Sequence, residues 1–560
     1  MMGSYVSAIW RQRDTKDDLG SSAPTRSEGG RKRSHENEEL INAENALLHT
    51  PKKKKLRSTT DYIYQVLFID GENSDVTISA LNREWKLHKL YLKQCGYFES
   101  MFRGTWKESK ATAITLDIPD RNIDADALAV AFGCLYRDDL TIEPIQVVPV
   151  VAAACLLQLD GLMQQCAAIM RETISSKTVC GYYDCSLLYG LGAVKDACFE
   201  WLENNIMAKQ SKDLLKDIKS TLMQDLIKSP NLFVMQVEMD VYNLLKRWLF
   251  IQVMPWWTGS YKSGITKQAE IHFKDLTSQE FGTGSHGSFL ETCLGKIYKK
   301  VFAELRFQHI IIDLSSTNLL FKDRIVPREW LMPFFRIQWL TMLNMEQGED
   351  LGPKQGDVNE DVFLKSSLRC ARILHRDVEH QWRWIGFNYG IDLVIMYIDR
   401  TIIIKRNCGN QSRLLSNQSR RYVMARVTVS SLNDLGQVTY TKTGDIVSHD
   451  LVRDGEVQGM SIDRTAELPL RIALNILYYT PRADVRPPKL LRIPLRLDSC
   501  RFCKKKTTST AVVPTCTVSS EGSNPDLCPM QHHADNTADS SSHSSVNTSN
   551  PSDDNLFEVE

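Results

Sequence analysis

From residue 61 to about residue 343, apolar side chains recur at spacings of three and four, the period of a helix that buries one face. The pattern predicts helices over residues 90–102, 124–136, 146–157 and 162–173, then a second helical array over about 178–249. In its last helix Val237, Val241, Leu244, Leu245 and Trp248 share one face and predict a core stripe, with Glu238, Asp240 and Arg247 off it. Two short extended pieces, 75–81 and 84–88, precede the helices. Beyond residue 361 β-rich runs take over at 393–397, 401–404, 422–429 and 472–479, separated by turn signals at 433–436 and 442–445. These predict a sandwich or barrel-like sheet domain. Glycines and polar residues break the pattern over 258–295 and 344–359, where connections are expected.

The flanks read differently. Residues 1–60 are polar and Ser/Glu/Arg-rich, without enough apolar surface to offset the entropy of ordering, and predict a disordered basic arm. Residues 498–560 predict a disordered, acidic, Ser/Thr-rich tail, with no Lys or Arg beyond residue 520. Between them lie segments at 61–173, 174–343 and 361–497, with a linker at 344–360.

At 560 residues the chain exceeds one ordinary core, and 42% apolar with 24% charged residues suffices to build cores without metals or disulfides. Lys plus Arg and Asp plus Glu both number 68, so the chain as a whole is no electrostatic binder, and no direct nucleic-acid partner is expected. Fourteen scattered cysteines with no secretory signal predict reduced thiols in cytosol or nucleus. The longest apolar stretch, 147–159, contains Pro149 and Gln158 and falls short of a membrane span, so it predicts a buried core helix.

The search for chemistry is mostly negative, and no cofactor is expected. Cys500 and Cys503 have zinc-ligand spacing, but Cys516, Cys528, His532 and His533 supply no second paired knuckle. His375 and His380 are one residue out of register for an inverted zincin helix. The 283–287 segment lacks the first glycine of a hydrolase elbow, and Gly190-Leu191-Gly192 lacks a third glycine and a preceding strand, reading as a helix connection. No residue set supports an enzyme.

One constellation is informative. Ser74-Asp75-Val76, then Trp85-Lys86-Leu87-His88-Lys89, then Cys95-Gly96-Tyr97-Phe98-Glu99-Ser100-Met101-Phe102 form a strand, strand, helix order. Asp75 and His88 are placed to meet at a helix start, where a buried Asp would need hydrogen-bond partners. Alone, this would be a satisfied core pair. The order and spacing resemble the BTB/POZ domain, with Trp85 in place of its usual Phe and Cys95 in place of its usual Ser. The match continues through 114–116, 132–136 and 152–159 to Cys166. The following helices resemble the BACK domain, and no kelch repeat appears beyond it. Tyr62-Ile63-Tyr64-Gln65, the 231–240 segment, the 382–390 segment and Ile403-Ile404-Lys405-Arg406-Asn407 are similar to the germ cell-less family. The resemblance implies an α+β protein: a BTB/POZ domain, a helical BACK domain and a C-terminal β-rich domain, with disordered termini.

The resemblance also implies a function. Many BTB-BACK proteins are non-catalytic substrate adaptors of cullin-3 ubiquitin ligases, in which a hydrophobic residue, any residue, then Glu follows the Y-F-x-x-M-F helix. The matching triplet is Trp106-Lys107-Glu108, with Phe102 and Tyr136 bordering the same groove. Read from the residues alone, Trp106 packs within a loop and Glu108 is solvated. BTB domains are typically symmetric dimers, and Tyr62, Ile63, Val66 and Leu67 would form that interface or, equally, an ordinary core strand. Protein substrates would bind the β-rich domain, with Trp382, Trp384, Phe387 and Tyr389 as candidates or, for most of them, core residues. The family's name implies a role in germ-cell formation. The alternative is a nuclear-envelope scaffold or transcriptional co-repressor that uses BTB for dimerisation.

Two address signals complete the reading. Arg31, Lys32 and Arg33, and Lys52, Lys53, Lys54, Lys55 and Arg57, suit a nuclear import receptor and would also attract anionic lipid. Met2-Gly3-Ser4-Tyr5-Val6-Ser7 fits a myristoylation pattern at Gly3 if translation starts at Met2 or both methionines are removed. The expected location is the nucleus and nuclear envelope, with a cytoplasmic or plasma-membrane pool through peripheral contact.

Overall fold

A computed structural model describes residues 58–480, except 105–106, 139–140, 260–263, 283–286, 347–351, 387–390, 408–419 and 454. These residues belong to one unit that runs through Pro487; residues 488–560 form a second, outside the described residues. The basic arm with Arg31–Arg33, Lys52–Lys55 and Arg57, the Gly3 signal, the acidic tail with its cysteine pair, Trp106, Phe387 and Tyr389 also lie outside them.

The N-terminal sheet has strand order β2-β1-β3, formed by β1 (Val76–Ala80), β2 (Arg83–Leu87) and β3 (Ala113–Thr115). β1 and β2 are antiparallel and β3 runs parallel to β1. A two-residue turn joins the hairpin, with Leu81 and Asn82 both at positive φ, the geometry that matches strand twist. Alternation sends Val76, Ile78, Trp85 and Leu87 into the core.

The apolar run expected as a dimer helix or a core strand is helical: Thr59–Ile63 is an α-helix capped by Ser58, and a π-helical turn follows over Tyr64–Ile69. The single helix expected over 90–102 is two, Lys89–Leu92 and Gly96–Arg103. Cys95 between them is extended, and the second helix starts at Gly96, where a Cβ would stand 2.4 Å from Gln158 Oε1 and require that side chain to shift. The expectation over 124–136 meets a helix at Ala125–Gly133, whose Asp124 cap accepts from Ala127 N–H at 2.7 Å.

Helices continue from Val147–Leu157 to Arg328–Glu346 around one core shared with the N-terminal sheet. The connection expected over 258–295 contains a long helix, Ile265–Phe281, whose buried residues Ile265, Ala269, Phe273 and Thr277 fall one per turn. So narrow a stripe in a polar segment carries little periodic signal. The described parts of the expected linker are also structured. Arg328–Glu346 runs into it, Lys354 bridges to Thr480, and Val358 packs with Phe363, Leu477 and Tyr479.

The C-terminal domain is a sandwich of two antiparallel sheets. One contains β4 (Leu368–Leu374), β8 (Arg420–Leu432), β9 (Val438–Thr443), β10 (Val447–Val452) and β12 (Leu470–Tyr479), ordered β10-β8-β12-β4 with β9 also on β8. The other has order β11-β7-β6-β5, from β5 (His380–Gly386), β6 (Ile391–Ile398), β7 (Thr401–Arg406) and β11 (Glu456–Ser461). Both sheets contribute to one apolar core.

Candidate protein-interaction surfaces

Asp75 and His88 meet at a helix start, but Asp75 is exposed rather than buried. Strand β1 begins beside it, so its carboxylate reaches the start of the Lys89–Leu92 helix and accepts from Lys89 N–H at 2.7 Å. The His88 ring donates from Nε2 to the Glu72 carbonyl at 2.9 Å, which leaves Nδ1 to accept from the Tyr136 hydroxyl at 3.2 Å. The same hydroxyl accepts from His88 N–H at 2.9 Å, and the Tyr136 ring stacks on Tyr91 with centroids 4.3 Å apart. Tyr136 is only 4% exposed, so it serves this hub from the inside.

The expected cullin-facing surface lies beside this hub. Phe102 is half-buried near the end of the Gly96–Arg103 helix and stacks on Phe98 at 5.7 Å. Lys89 places its ammonium 5.5 Å from the Phe102 ring centre and donates to the Ser109 carbonyl at 3.3 Å. That contact ties the helix to the Lys107–Lys110 turn, on which Glu108 is exposed. An aromatic face and a free carboxylate therefore share one tethered patch. The N-terminal helical segment offers a second surface: Ile63, Tyr64 and Leu67 pack on the core, Val66 is half-buried, and Tyr62 and Ile69 remain exposed.

Trp382 and Trp384, read from the sequence as substrate-capture candidates or core residues, point inward. Trp384 is buried in the sandwich, and Trp382 packs partly buried against the same core. They sit in β5 opposite Leu393 and Ile395 of β6, on the strand face that closes over the other sheet. Their ring centres are 5.8 Å apart.

What the sequence reading missed is the joint between helices and sandwich. Glu238, placed off the core stripe, is fully buried at the first position of the Glu238–Val253 helix. It accepts from Arg369 of β4 in a two-pronged pair, Nε to Oε1 and Nη2 to Oε2, each 2.8 Å. Burial by itself would raise the Glu238 carboxyl, but the Arg369 guanidinium outweighs it and holds the group below its ordinary value. Arg369 also donates to the Ile227 and Ser229 carbonyls at 2.8 Å, capping the Ser220–Lys228 helix. In return, His309 Nε2 donates to the Ser366 carbonyl at 2.7 Å and Arg306 to the Leu364 carbonyl at 2.7 Å, at the end of the Glu360–Ser366 helix. Burial lowers the His309 ring to about 4, so it is neutral near pH 7. A second enclosed pair, Lys246 and Asp323 at 2.5 Å with Tyr242 donating to the same carboxylate at 2.9 Å, ties helices within the array.

The β8–β9 turn makes the joint's other end. Asn205 donates to the Gly436 carbonyl at 2.7 Å, and the Trp201 indole N–H donates to the Leu435 carbonyl at 3.0 Å. Gly436 has φ +87, and a Cβ there would lie 2.5 Å from Asn205 Oδ1. Arg471 of β12 donates to the Asn204 carbonyl at 2.6 Å with its guanidinium 4.0 Å from the Phe233 ring centre.

Among the described residues no three His, Cys, Asp or Glu side chains converge as a metal site, and no helix is long and apolar enough to cross a membrane. The nine cysteines among them are free, and burial pushes the thiols of Cys134, Cys166, Cys180, Cys185 and Cys198 up to about 12. Such thiols are poor nucleophiles.

Comparison with known proteins follows this architecture. Residues 64–174 match the family model of the BTB/POZ domain. The chain is 49% identical over 438 residues to Germ cell-less protein-like 1 of Mus musculus, covering 78% of this chain and 82% of that protein. It is 36% identical over 450 residues to Protein germ cell-less of Drosophila melanogaster, covering 77% of this chain and 79% of that protein. Kelch repeat and BTB domain-containing protein 2 of Homo sapiens is 25% identical over 255 residues, covering 44% of this chain and 40% of that protein.

Proposed function

The chain belongs to the germ cell-less family of BTB/POZ proteins, and from that membership we propose that it is a substrate-recognition adaptor of a cullin-3 RING ubiquitin ligase, acting in germ-cell formation. A BTB protein works through protein partners, itself included. In this reading the BTB domain dimerises through Tyr62, Ile63, Val66 and Leu67. It holds cullin-3 through Phe102, Trp106 and Glu108, and the sandwich carries the substrate. A ubiquitin-charged enzyme on the cullin then meets substrate lysines at high effective concentration, and no covalent step uses a residue of this chain.

The observation that carries the reading is the buried joint. Glu238 with Arg369, and Gly436 with Asn205, fix the sandwich against the helices that extend the BTB domain. A matchmaker needs that rigidity, because a floppy connection would dilute the effective concentration it supplies. The tethered Phe102–Glu108 patch supports the cullin contact. The basic arm supports nuclear import to the nucleus and nuclear envelope, and the Gly3 signal supports a peripheral membrane pool.

The test is a pull-down of cullin-3 with wild type, Trp106→Ala and Glu108→Lys, with the dimer monitored by light scattering. Loss of cullin-3 in both variants with the dimer retained is the expected result. Cullin-3 binding retained in both would overturn this contact surface and favour a scaffold or co-repressor at the nuclear envelope.

A further inference from the structure

Among the described residues β9 is one of the sandwich's edge strands, as are β4, β5, β10 and β11. Among the described residues β9 pairs with β8 and with no other strand. In an antiparallel ladder alternate residues turn N–H and C=O toward the partner, and the rest turn them away. The Gly444 N–H donates to the Val427 carbonyl at 2.9 Å, so that opposed pair is hydrogen-bonded. Alternation along the register then directs Lys442 and Tyr440 at β8 and leaves the backbone groups of Thr441 and Thr443 facing outward.

Strand edges are commonly guarded by a lysine lying across them. Lys442 does not do this: its ammonium donates to Asp463 Oδ1 at 2.8 Å and to the Ser461 carbonyl at 3.1 Å, folded over the core side. Tyr440 donates to Asp463 Oδ2 at 2.9 Å on the same side.

The other face of β9 leads to a depression. A bulge in the register, where Ser431 opposes Tyr440 but Leu432 opposes Val438, turns Val438 away from the Tyr440 face, and it lines an open hollow of about 220 Å³ with Ile174, Ala197 and Trp201, beside the exposed Arg171 and Glu200. Its walls are fixed in advance. Gln437 donates to the Arg171 and Glu172 carbonyls at 2.8 and 2.9 Å, and Trp201 is held by Leu435. Residues opposed across a ladder project to the same face, so a residue added opposite Val438 would direct its side chain into this hollow.

We propose that β9 receives an extended peptide segment of a protein partner as an added strand, with one apolar or aromatic side chain of that segment seated in the Trp201 hollow. The continuity of open edge and hollow through Val438 selects this occupant, since main-chain bonds would give affinity and the hollow specificity. Exposed charges of both signs beside the hollow suit a peptide better than a uniformly anionic surface. The inference rests on the adaptor reading, for which it supplies a substrate-capture site in place of the inward-facing Trp382 and Trp384.

The test uses the full chain and no cullin, so its failure leaves cullin capture untouched, and the converse holds as well. A displayed library of random 12-residue peptides is selected on wild type, and the affinities of enriched peptides are then measured by fluorescence anisotropy. Thr441→Pro removes one outward N–H and spares the β8 ladder, and Ala197→Leu fills the hollow. Thermal melts establish that each variant is folded. Each should weaken binding by about ten-fold or more. N-methylation scanned along the best peptide should abolish binding at every second position, a readout that needs no variant of the protein. Absence of enriched peptides, wild-type affinity in both variants, or N-methyl sensitivity without a period of two would overturn the proposal. So would a Thr441→Pro chain that changes only its sedimentation, since the edge would then be occupied by a second copy.

Discussion

Arg369 and Glu238 form an enclosed two-pronged ion pair, both contacts 2.8 Å, between the first strand of the sandwich and the first turn of a helix in the array. Neither partner has water to fall back on. Arg369→Met should cost about 3–5 kcal/mol, because it strands a carboxylate with no counter-charge. Glu238→Leu combined with Arg369→Met should recover much of that, leaving the Ile227 and Ser229 carbonyls short of a donor. Guanidinium unfolding of the two variants checks both signs.

Gly436→Ala tests the other end of the joint. The substitution forces a side chain into a left-handed backbone and into Asn205, 2.5 Å away, at an expected cost of about 1–3 kcal/mol. Hydrogen exchange should rise over the 433–437 turn and the end of the Gly192–Asn205 helix, with the BTB sheet unchanged.

His309 predicts an acid dependence of known sign. Folded, its ring takes up a proton only near pH 4; in the unfolded chain it does so near 6.5. Between those values the unfolded state binds the extra proton, so stability is intact above about 6.5 and falls as pH drops toward 4. His309→Gln keeps an N–H donor for the Ser366 carbonyl and should shrink that decline. Denaturation midpoints at pH 7.5 and 5 for both proteins measure the difference.

Tyr136→Phe separates support from contact. The hydroxyl serves both His88 N–H and His88 Nδ1, so its loss should cost about 1–3 kcal/mol. Because Tyr136 is buried, any cullin-3 binding should stay within two-fold of wild type at a temperature where the variant is folded, measured by calorimetry.

Much of this architecture was legible in order and type. The helix expected over 124–136 was readable because its apolar residues recur within single turns. So were the turns at 433–436 and 442–445, where glycine punctuates strands. The polar joint was not. Periodicity sorts residues by polarity, and it put Glu238 off the core because its partner Arg369 lies 131 residues away. Strands β9, β10 and β11 escaped notice because each is half exposed and polar, and Ile265–Phe281 because its buried stripe is one residue wide. For Trp384 the sequence left two readings open, partner contact or core, and the side chain is committed to its own core.

The position of β12 has a consequence for synthesis. Among the described residues it is the last strand of the sandwich to leave the ribosome, yet it lies between β8 and β4 and carries Arg471 and Asn475, which bind the helical array. Until Tyr479 has emerged, β8 and β4 each lack a neighbour, and the strand bearing Arg369 has nothing to hold it in register. A nonsense codon a few residues ahead of Leu470 would therefore not trim the molecule; it would leave an intact BTB domain attached to an unfinished, adhesive sheet.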